Sequence, residues 1–294
     1  MADYGHSNMA VLFYHLSDSY TTSETNSRGT YYSVSGIPDV HFDGPQHVVG
    51  GGTNMYPYYQ PIILDHVEDP PYVEIDLSGS SITETGGTLN VHLEALQQIT
   101  QTNCVIQYVI IQEDIIGEDF LVRDLLTSDN LTITNPGQTQ DIVKTFTINP
   151  GWYGGVNSED IGAVVFVQSN WTKSVLNAAT LSKVDVEITP ESVTVPMGSD
   201  LNFTAHITNI TPWVQPIRAW LDVVLPNGND LPSNPFEGPV SLNLQANAVI
   251  DYPMTIAVPS GIPVGDYQLR LGVGNQTNSN DDWEYDYMTV TVTP

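Results

Sequence analysis

Hydrophobic positions follow different spacings before and after residue 70. The run Met9–His15 is almost continuously apolar, which is typical of a strand buried on both faces. Ser23–Val34 begins on a serine suited to cap a helix, and apolar residues recur at helical spacing in Met55–Val67. Gly36–Gly44 predicts a strand and turn, with His47–Gly52 returning as its hairpin partner. Residues 1–70 therefore predict a small α/β domain with an N-terminal arm.

Prolines mark the end of this first pattern. Asp69-Pro70-Pro71 interrupts the helical spacing, and from there the apolar residues alternate with polar ones. Tyr72–Leu77 and Thr88–Ala95 alternate cleanly, while Cys104–Gln112 is more continuously apolar. About seven short strands separated by polar turns predict an antiparallel sandwich over residues 71–183. A second alternating series predicts another sandwich over residues 184–294.

Charge narrows the range of partners. The chain has 7 Lys and Arg against 34 Asp and Glu, a formal net charge of −27. Phosphate backbones and anionic membranes would be repelled, so we expect neither nucleic acid nor a membrane surface as a partner. No apolar run is long enough for a transmembrane helix. Residues 1–10 lack the basic and apolar regions of a signal peptide, so we expect any such segment to have been removed or to lie outside this numbering.

Small polar residues suggest an extracellular or cell-surface protein. Because the charged fraction is only 14 %, Ser, Thr, Asn and Gln must cover much of the surface. Five Asn-x-Ser/Thr sequons lie after residue 128, whereas roughly three are expected by chance in so polar a chain. The candidate glycosylation sites are Asn130, Asn170, Asn202, Asn209 and Asn275.

Short motifs resemble bacterial surface proteins that join a thioredoxin-like domain to immunoglobulin-like sandwiches. They are Tyr14-His15, Gly36-Ile37-Pro38, Phe42-Asp43-Gly44, Glu113-Asp114 and Val164–Gln168. The resemblance implies a mostly β chain: a degenerate thioredoxin-like α/β domain followed by two immunoglobulin-like antiparallel β-sandwiches. It also implies a cis proline at Pro38. The family's first strand and its Cys-x-x-Cys helix have no counterpart here, which implies a truncated domain without the redox chemistry.

A truncated sheet suggests how the protein functions. An open edge leaves N–H and C=O groups unpaired, and a strand from a neighbouring copy would satisfy them. We therefore expect a non-catalytic subunit of an extracellular filament or surface layer. Its copies would join head to tail by β-strand complementation through the N-terminal segment, resembling strand-exchanging fibre subunits. The predicted assembly residues are Met9, Ala10, Val11, Leu12 and Phe13.

Two other functions remain open. A monomeric secreted module that binds carbohydrate or protein would present exposed aromatic residues, with candidates at Trp152, Tyr153, Trp213, Trp220 and Trp283. A thioredoxin-like redox protein would need two thiols, and the chain has only Cys104, within an apolar strand. We expect that cysteine to be a small buried hydrophobe. Without a hydrolase or phosphate-binding motif, we expect neither an enzyme nor a cofactor.

Candidate metal ligands form two sets, although neither has a diagnostic spacing and we predict no metal site. His15, His41 and His47, with Asp39 and Asp43, offer nitrogen and oxygen donors of the kind that zinc accepts. Asp39 and His41 are two apart on a predicted strand and so share a face. The second set is Asp281, Asp282, Glu284 and Asp286, which suits calcium but also a solvated acidic turn.

Overall fold

A computed structural model describes residues 9–67, 69–113, 115, 120–275 and 282–294, excluding the side chains of residues 67, 275 and 282–284. The described chain is mostly β and contains two compact units, Ala10–Leu181 and Ser182–Pro294. The second unit begins close to the predicted start of the second sandwich at residue 184.

The first unit contains both α-helices of the described chain, ten strands and a 3₁₀ turn at Ser158–Asp160. Its elements are α1 (Ser23–Tyr32), β1 (Asp39–Phe42), β2 (Gln46–Val49), α2 (Tyr56–Val67), β3 (Val73–Asp76), β4 (Ser81–Thr83), β5 (Gly86–Ala95), β6 (Cys104–Gln112), β7 (Leu121–Asn130), β8 (Thr139–Thr147), β9 (Ile161–Ser169) and β10 (Val175–Thr180).

Two antiparallel sheets form the body of this unit. One has the order β10-β9-β6-β7, and in the other β5 pairs with β3, β4 and β8. In β5 the inward side chains Leu89, Val91 and Leu93 are 0 to 2 % exposed, as the alternating pattern predicts. The prediction of antiparallel β-sheets for this part of the chain is confirmed.

Strands β6 and β9 are buried on both faces, which explains their continuous apolar sequences. Every residue of β9 is buried, and so is every residue of β6 except Gln107. Val109, Ile111 and Phe166 lie in an apolar cluster that also receives Val11 and Leu12 from the N-terminal region. A sheet with two apolar faces must be covered on both. Residues 10–67 therefore belong to the same compact unit as the first sandwich, so the predicted boundary at residue 70 does not separate two units.

The N-terminal region has fewer strands than a thioredoxin-like domain would supply. Its regular elements are α1, the β1–β2 hairpin and α2, and in the described chain the two strands pair only with each other. Helix α1 begins after Thr22, whose hydroxyl caps the Thr25 N–H, one residue before the predicted cap. The Ile37–Pro38 peptide is cis, the isomer that the resemblance implies.

The second unit contains two further antiparallel sheets, with a parallel β12–β18 pair. The sheet orders are β11-β13-β16 and β12-β18-β17-β14-β15. The strands are β11 (Val184–Pro190), β12 (Thr194–Pro196), β13 (Asp200–Asn209), β14 (Gln215–Val224), β15 (Glu237–Leu244), β16 (Val249–Ala257), β17 (Gly265–Asn275) and β18 (Asp282–Thr293).

One core holds these two sheets together. Phe203 and Ile207 of β13 pack in the same cluster as Leu221, Leu271 and Val290 of the facing sheet, and each is at most 5 % exposed. Strand β13 alternates residue by residue between buried and half-buried positions along most of its length. This matches the period-two pattern of the sequence and confirms a β-sandwich.

A tyrosine fastens the turn before β17. The Tyr267 hydroxyl donates a hydrogen bond to the Pro263 carbonyl at 2.9 Å, and the residue is 7 % exposed. Immunoglobulin-like sandwiches use a tyrosine in the same way near the start of a late strand. In the described part of the chain, neither helix has the length and apolar character needed to cross a membrane.

Candidate functional site

One of the predicted assembly residues, Phe13, pairs with an edge strand of its own chain. The Phe13 N–H donates to the Phe120 carbonyl at 3.0 Å, and the Val122 N–H donates to the Phe13 carbonyl at 3.0 Å. These bonds form a parallel bridge between Phe13 and Leu121 at the start of edge strand β7. We call Ala10–Tyr14 the docking segment; the fifth predicted residue, Met9, is not part of the compact unit that contains this edge. The edge that it meets belongs to the β10-β9-β6-β7 sheet, whereas the sequence analysis expected an open edge in the truncated N-terminal sheet.

Side chains of the docking segment strengthen this contact. Ala10, Val11, Leu12 and Tyr14 pack on the apolar cluster of the sheet, whereas Phe13 is 45 % exposed. Burial raises the pKa of Tyr14 to about 12, so its hydroxyl is neutral at physiological pH. The segment therefore combines main-chain pairing with apolar anchors, as in β-strand addition.

A tight turn connects the docking segment to α1. Ser17 has a φ of 66°, a left-handed conformation that costs roughly 1–2 kcal/mol for a residue with a Cβ atom. The Asp18 carboxylate accepts a hydrogen bond from the Tyr20 N–H at 2.8 Å. Its other oxygen lies 2.6 Å from His15 Nδ1. Residues 15–21 thus form a short strained connection.

A buried arginine lies behind α1. Arg28 is 8 % exposed, and its guanidinium donates to Gln168 at 2.9 Å and to the Tyr32 hydroxyl at 3.0 Å. The guanidinium carbon of Arg28 lies 4.7 Å from the centre of the Tyr31 ring and 5.6 Å from the centre of the Phe166 ring. Among the described residues, aromatic faces and neutral acceptors surround this charge instead of a carboxylate. The sequence analysis missed this site, although Tyr31 and Tyr32 at helical spacing from Arg28 are a visible signal.

The hairpin brings three of the predicted metal ligands together. His41 lies directly opposite His47 in the β1–β2 register, and Asp39 is on the same face. The Asp39 carboxylate is 2.9 Å from His47 Nδ1 and 3.5 Å from His41 Nε2. One donor atom from each residue lies within 4.8 Å of the others. His41 and His47 also stack, with ring centres 4.9 Å apart.

Other predicted ligands have different partners. His15 contacts Asp18, and Asp43 lies 3.2 Å from His66, a pair that the sequence analysis did not consider. Asp286 accepts a hydrogen bond from the Ile188 N–H at 2.6 Å and so has a structural role. Asp281 lies outside the described residues, and the side chains of Asp282 and Glu284 are likewise outside them. The described residues do not assemble a calcium site from that set.

The predicted glycosylation sites differ in accessibility. Asn130 is exposed, and Asn170 and Asn202 are half-buried. Asn209 is 1 % exposed, and its amide donates to the Trp213 and Gln245 carbonyls at 2.6 Å and 2.9 Å. That nitrogen is engaged in hydrogen bonds in the folded chain, and glycosylation at Asn209 stays a prediction. The side chain of Asn275 lies outside the described residues.

The described aromatic candidates do not form a flat exposed platform. Trp220 is 7 % exposed and packs under Arg218, whose guanidinium carbon is 4.2 Å from a ring centre. Trp152 and Trp213 are half-buried, while Tyr153 is exposed and meets Tyr20 edge to face. The side chain of Trp283 is outside the described residues.

Cys104 is a free, buried thiol. It is 8 % exposed, and burial raises its pKa above the ordinary value. The reactive form of cysteine is the thiolate, which this environment disfavours. This agrees with the expectation of a packing role and gives the redox alternative no support.

Comparisons with known proteins show no family for this chain. No family model and no curated protein matches it. Among solved structures, HBP35 of Porphyromonas gingivalis is 11 % identical, with a TM-score of 0.43, over 92 % of this chain and 81 % of that one. Red sea bream transglutaminase is 10 % identical, with a TM-score of 0.32, over 81 % and 34 % of the two chains. A CARDB domain from Pyrococcus furiosus is 14 % identical, with a TM-score of 0.29, over 38 % and 89 %. Scores this low do not establish a shared fold.

Proposed function

We propose that the chain is a non-catalytic structural subunit of an extracellular filament or surface layer, whose copies join by exchanging the docking segment. The observation that supports this is the paired main-chain bonding of Phe13 to the β7 edge. In the single chain the segment binds its own edge. In an assembly it would bind the same edge of the next copy.

Exchange preserves the contacts and changes only the connection. A swapped segment makes the same hydrogen bonds and buries the same side chains, so the two states differ mainly in the turn at residues 15–21. Straightening that turn releases the left-handed conformation of Ser17. A non-closing rotation between successive copies would produce an open filament, and a closing one would produce a ring or dimer.

Surface properties support an extracellular location. A net charge of −27 with few basic residues suits a secreted polar surface. Asn130 at the end of β7 is exposed and available to carry a glycan. Both features are compatible with a protein that interacts with its own copies and not with nucleic acid.

Substitutions in the docking segment and its turn test the exchange. We expect Ser17→Pro to increase the assembled fraction, because proline cannot adopt a positive φ and disfavours the closed turn. Ser17→Gly should have the opposite effect, since glycine accepts that conformation without strain. Light scattering across a concentration series, with electron microscopy of the largest species, measures both.

Leu12→Asp removes an apolar anchor and should abolish assembly, whereas Val143→Asp on β8, where the side chain is 66 % exposed, is the matched control and should not. A chain lacking residues 1–14 keeps the acceptor edge and should form a one-to-one complex with the full chain. A full chain that stays monomeric at all concentrations and does not bind the truncated chain would contradict the proposal.

A further inference from the structure

The β1–β2 hairpin arranges three donor side chains around one point. Asp39 and His41 are two residues apart on β1, and His47 is the cross-strand neighbour of His41. All three therefore project from one face of a two-stranded sheet. Their chemical types, one carboxylate and two imidazoles, match the donor set that zinc uses in sites with three protein ligands.

Hydrogen bonding determines the tautomer of His41. Its Nδ1 lies 2.9 Å from the Gly44 carbonyl oxygen, which can only accept, so Nδ1 carries a proton. In the neutral ring the other nitrogen, Nε2, is then unprotonated and carries a lone pair. This is the arrangement in which a histidine binds metal through one nitrogen and is oriented through the other.

That lone pair has no partner of its own. His41 Nε2 is buried and makes no hydrogen bond, and the nearby Asp39 side chain is only 3 % exposed. Two electron-rich atoms, the imidazole nitrogen and a carboxylate oxygen, thus lie 3.5 Å apart. A cation between them would remove the repulsion and satisfy both groups.

Distances agree with the size of a small tetrahedral ion. Bonds of about 2.0–2.1 Å place the ligand atoms of such an ion roughly 3.3 Å apart. The separations from the Asp39 oxygen are 2.9 Å to His47 and 3.5 Å to His41. The two histidine nitrogens lie within 4.8 Å of each other, and the stacked rings would turn so that both lone pairs point at one ion.

Neighbouring backbone holds the carbonyl of Gly44 in place. Gly44 has a φ of 104°, and a Cβ there would lie 1.7 Å from the Lys173 carbonyl oxygen. The Val175 N–H donates to the Asp43 carbonyl at 2.9 Å and anchors the same turn. The carbonyl that orients His41 therefore belongs to a turn that other backbone segments contact closely.

The cluster is open to solvent at His47. The Tyr32 ring lies against His41, with centres 4.4 Å apart, while the His47 side chain is 47 % exposed. An ion can enter past His47 and keep a water molecule as its fourth ligand.

We propose that Asp39, His41 and His47 form a binding site for a divalent transition-metal ion of the zinc class. The ligand atoms are the Asp39 Oδ1, His41 Nε2 and His47 Nδ1 atoms. Two nitrogen donors disfavour calcium and magnesium, which prefer oxygen. Binding at His47 Nδ1 replaces the contact between that nitrogen and the Asp39 carboxylate, and the neutral ring then carries its proton on Nε2.

Two other histidine–aspartate pairs show what is special about the hairpin. His92 lies 2.6 Å from Asp141 and His206 lies 2.7 Å from Asp251, each as a cross-strand pair. In these pairs the carboxylates are 78 % and 65 % exposed, and neither pair belongs to a group of three close donors among the described residues. They are matched controls with the same residue types.

The test titrates metal into the full chain, purified without a histidine tag and freed of metal by chelator and dialysis. Calorimetry with zinc chloride should show one equivalent bound at micromolar or tighter affinity. Cobalt(II) should give the visible absorption bands of a tetrahedral site, and zinc should displace them. Calcium and magnesium chloride at the same concentrations should produce no binding heat.

Variants locate the site and separate binding from folding. Asp39→Asn is close to isosteric and His47→Gln changes a half-exposed side chain, so both should fold, as circular dichroism would verify. Each should weaken zinc binding by about tenfold or more. His92→Gln and His206→Gln should bind zinc as the unmodified chain does.

Two results would overturn the proposal. One is a full chain that binds no zinc or cobalt at concentrations up to about a hundred times those expected to saturate it. The other is equal loss of binding in the hairpin variants and in the His92 and His206 controls, which would indicate scattered surface binding.

Discussion

Buried guanidinium groups organise the first unit at the scale of single residues. Arg123 is 3 % exposed, and it donates to Gln112 at 2.8 Å and to the Tyr153 and Gly155 carbonyls at 3.0 and 3.1 Å. One side chain thus satisfies three acceptors and holds the loop after β8 against β7. Burial lowers the pKa of Arg123, but arginine remains charged at physiological pH.

Replacing Arg123 by lysine should destabilise the first unit by about 2 kcal/mol. Lysine keeps the charge, but its single ammonium group cannot reach three separated acceptors. Urea unfolding followed by tryptophan fluorescence measures the change, because Trp152 lies 5.7 Å from the Arg123 guanidinium. Arg218→Lys is the control, since it lies in the second unit and should not shift this transition. An unchanged midpoint for Arg123→Lys would show that the three bonds contribute little.

At the scale of elements, two turns are held by hydrogen bonds or close contacts from other residues. The Tyr267 hydroxyl holds the Pro263 carbonyl, and burial raises the pKa of Tyr267, which keeps the hydroxyl a neutral donor. The Gly44 turn of the hairpin is held in a comparable way by backbone contacts from Lys173 and Val175. The Gly44 turn positions β2, which carries the candidate metal ligand His47, and the Pro263 turn positions β17, which carries core residues.

Tyr267→Phe should lower the stability of the second unit by about 1 kcal/mol, because the Pro263 carbonyl loses its buried donor. Thermal unfolding of the residue 182–294 part measures the effect. Tyr252→Phe on β16, where the ring is 62 % exposed, removes a hydroxyl without this role and should be neutral. Equal effects of both substitutions would exclude a fastening role for Tyr267.

Considered as a whole molecule, the chain has two bodies with separate cores. The core of the second unit is built from side chains of both of its own sheets. The first unit needs residues from before position 70, because Val11 and Leu12 cover the outer face of its sheet. This difference leads to a prediction about fragments.

A fragment of residues 182–294 should fold by itself, with dispersed NMR signals and a cooperative thermal transition. A fragment of residues 71–181 should instead expose the apolar cluster around Val109 and Phe166, bind a hydrophobic dye and aggregate. Residues 9–181 are the matched control and should be soluble. If residues 71–181 fold as well as residues 9–181, the N-terminal region is dispensable and the assignment to one unit is wrong.

Much of the fold was predictable because alternation is a local signal. Period-two patterns in Thr88–Ala95 and in β13 predicted strands that the structure confirms, since a strand with one buried face has to alternate. The hairpin was also predicted, and its register then places Asp39, His41 and His47 on one face. A proximity of three donors therefore follows almost directly from sequence once the turn is known.

Other features depended on distant parts of the chain. The burial of Asn209, the contacts of Arg28 with Phe166 and Gln168, and the three acceptors of Arg123 involve distant partners that no local pattern reveals. The same holds for the docking segment, whose apolar run indicated burial without indicating which edge it would meet.

The amino-acid sequence by itself determined the mostly β character, the start of the second sandwich and the acidic, cysteine-poor surface. These follow from local alternation and from composition. Only the tertiary structure decided that residues 10–67 join the first sandwich and that Phe13 pairs with β7. A sheet's second face and its open edge are covered by whatever distant segment reaches them, and long-range packing alone selects that segment.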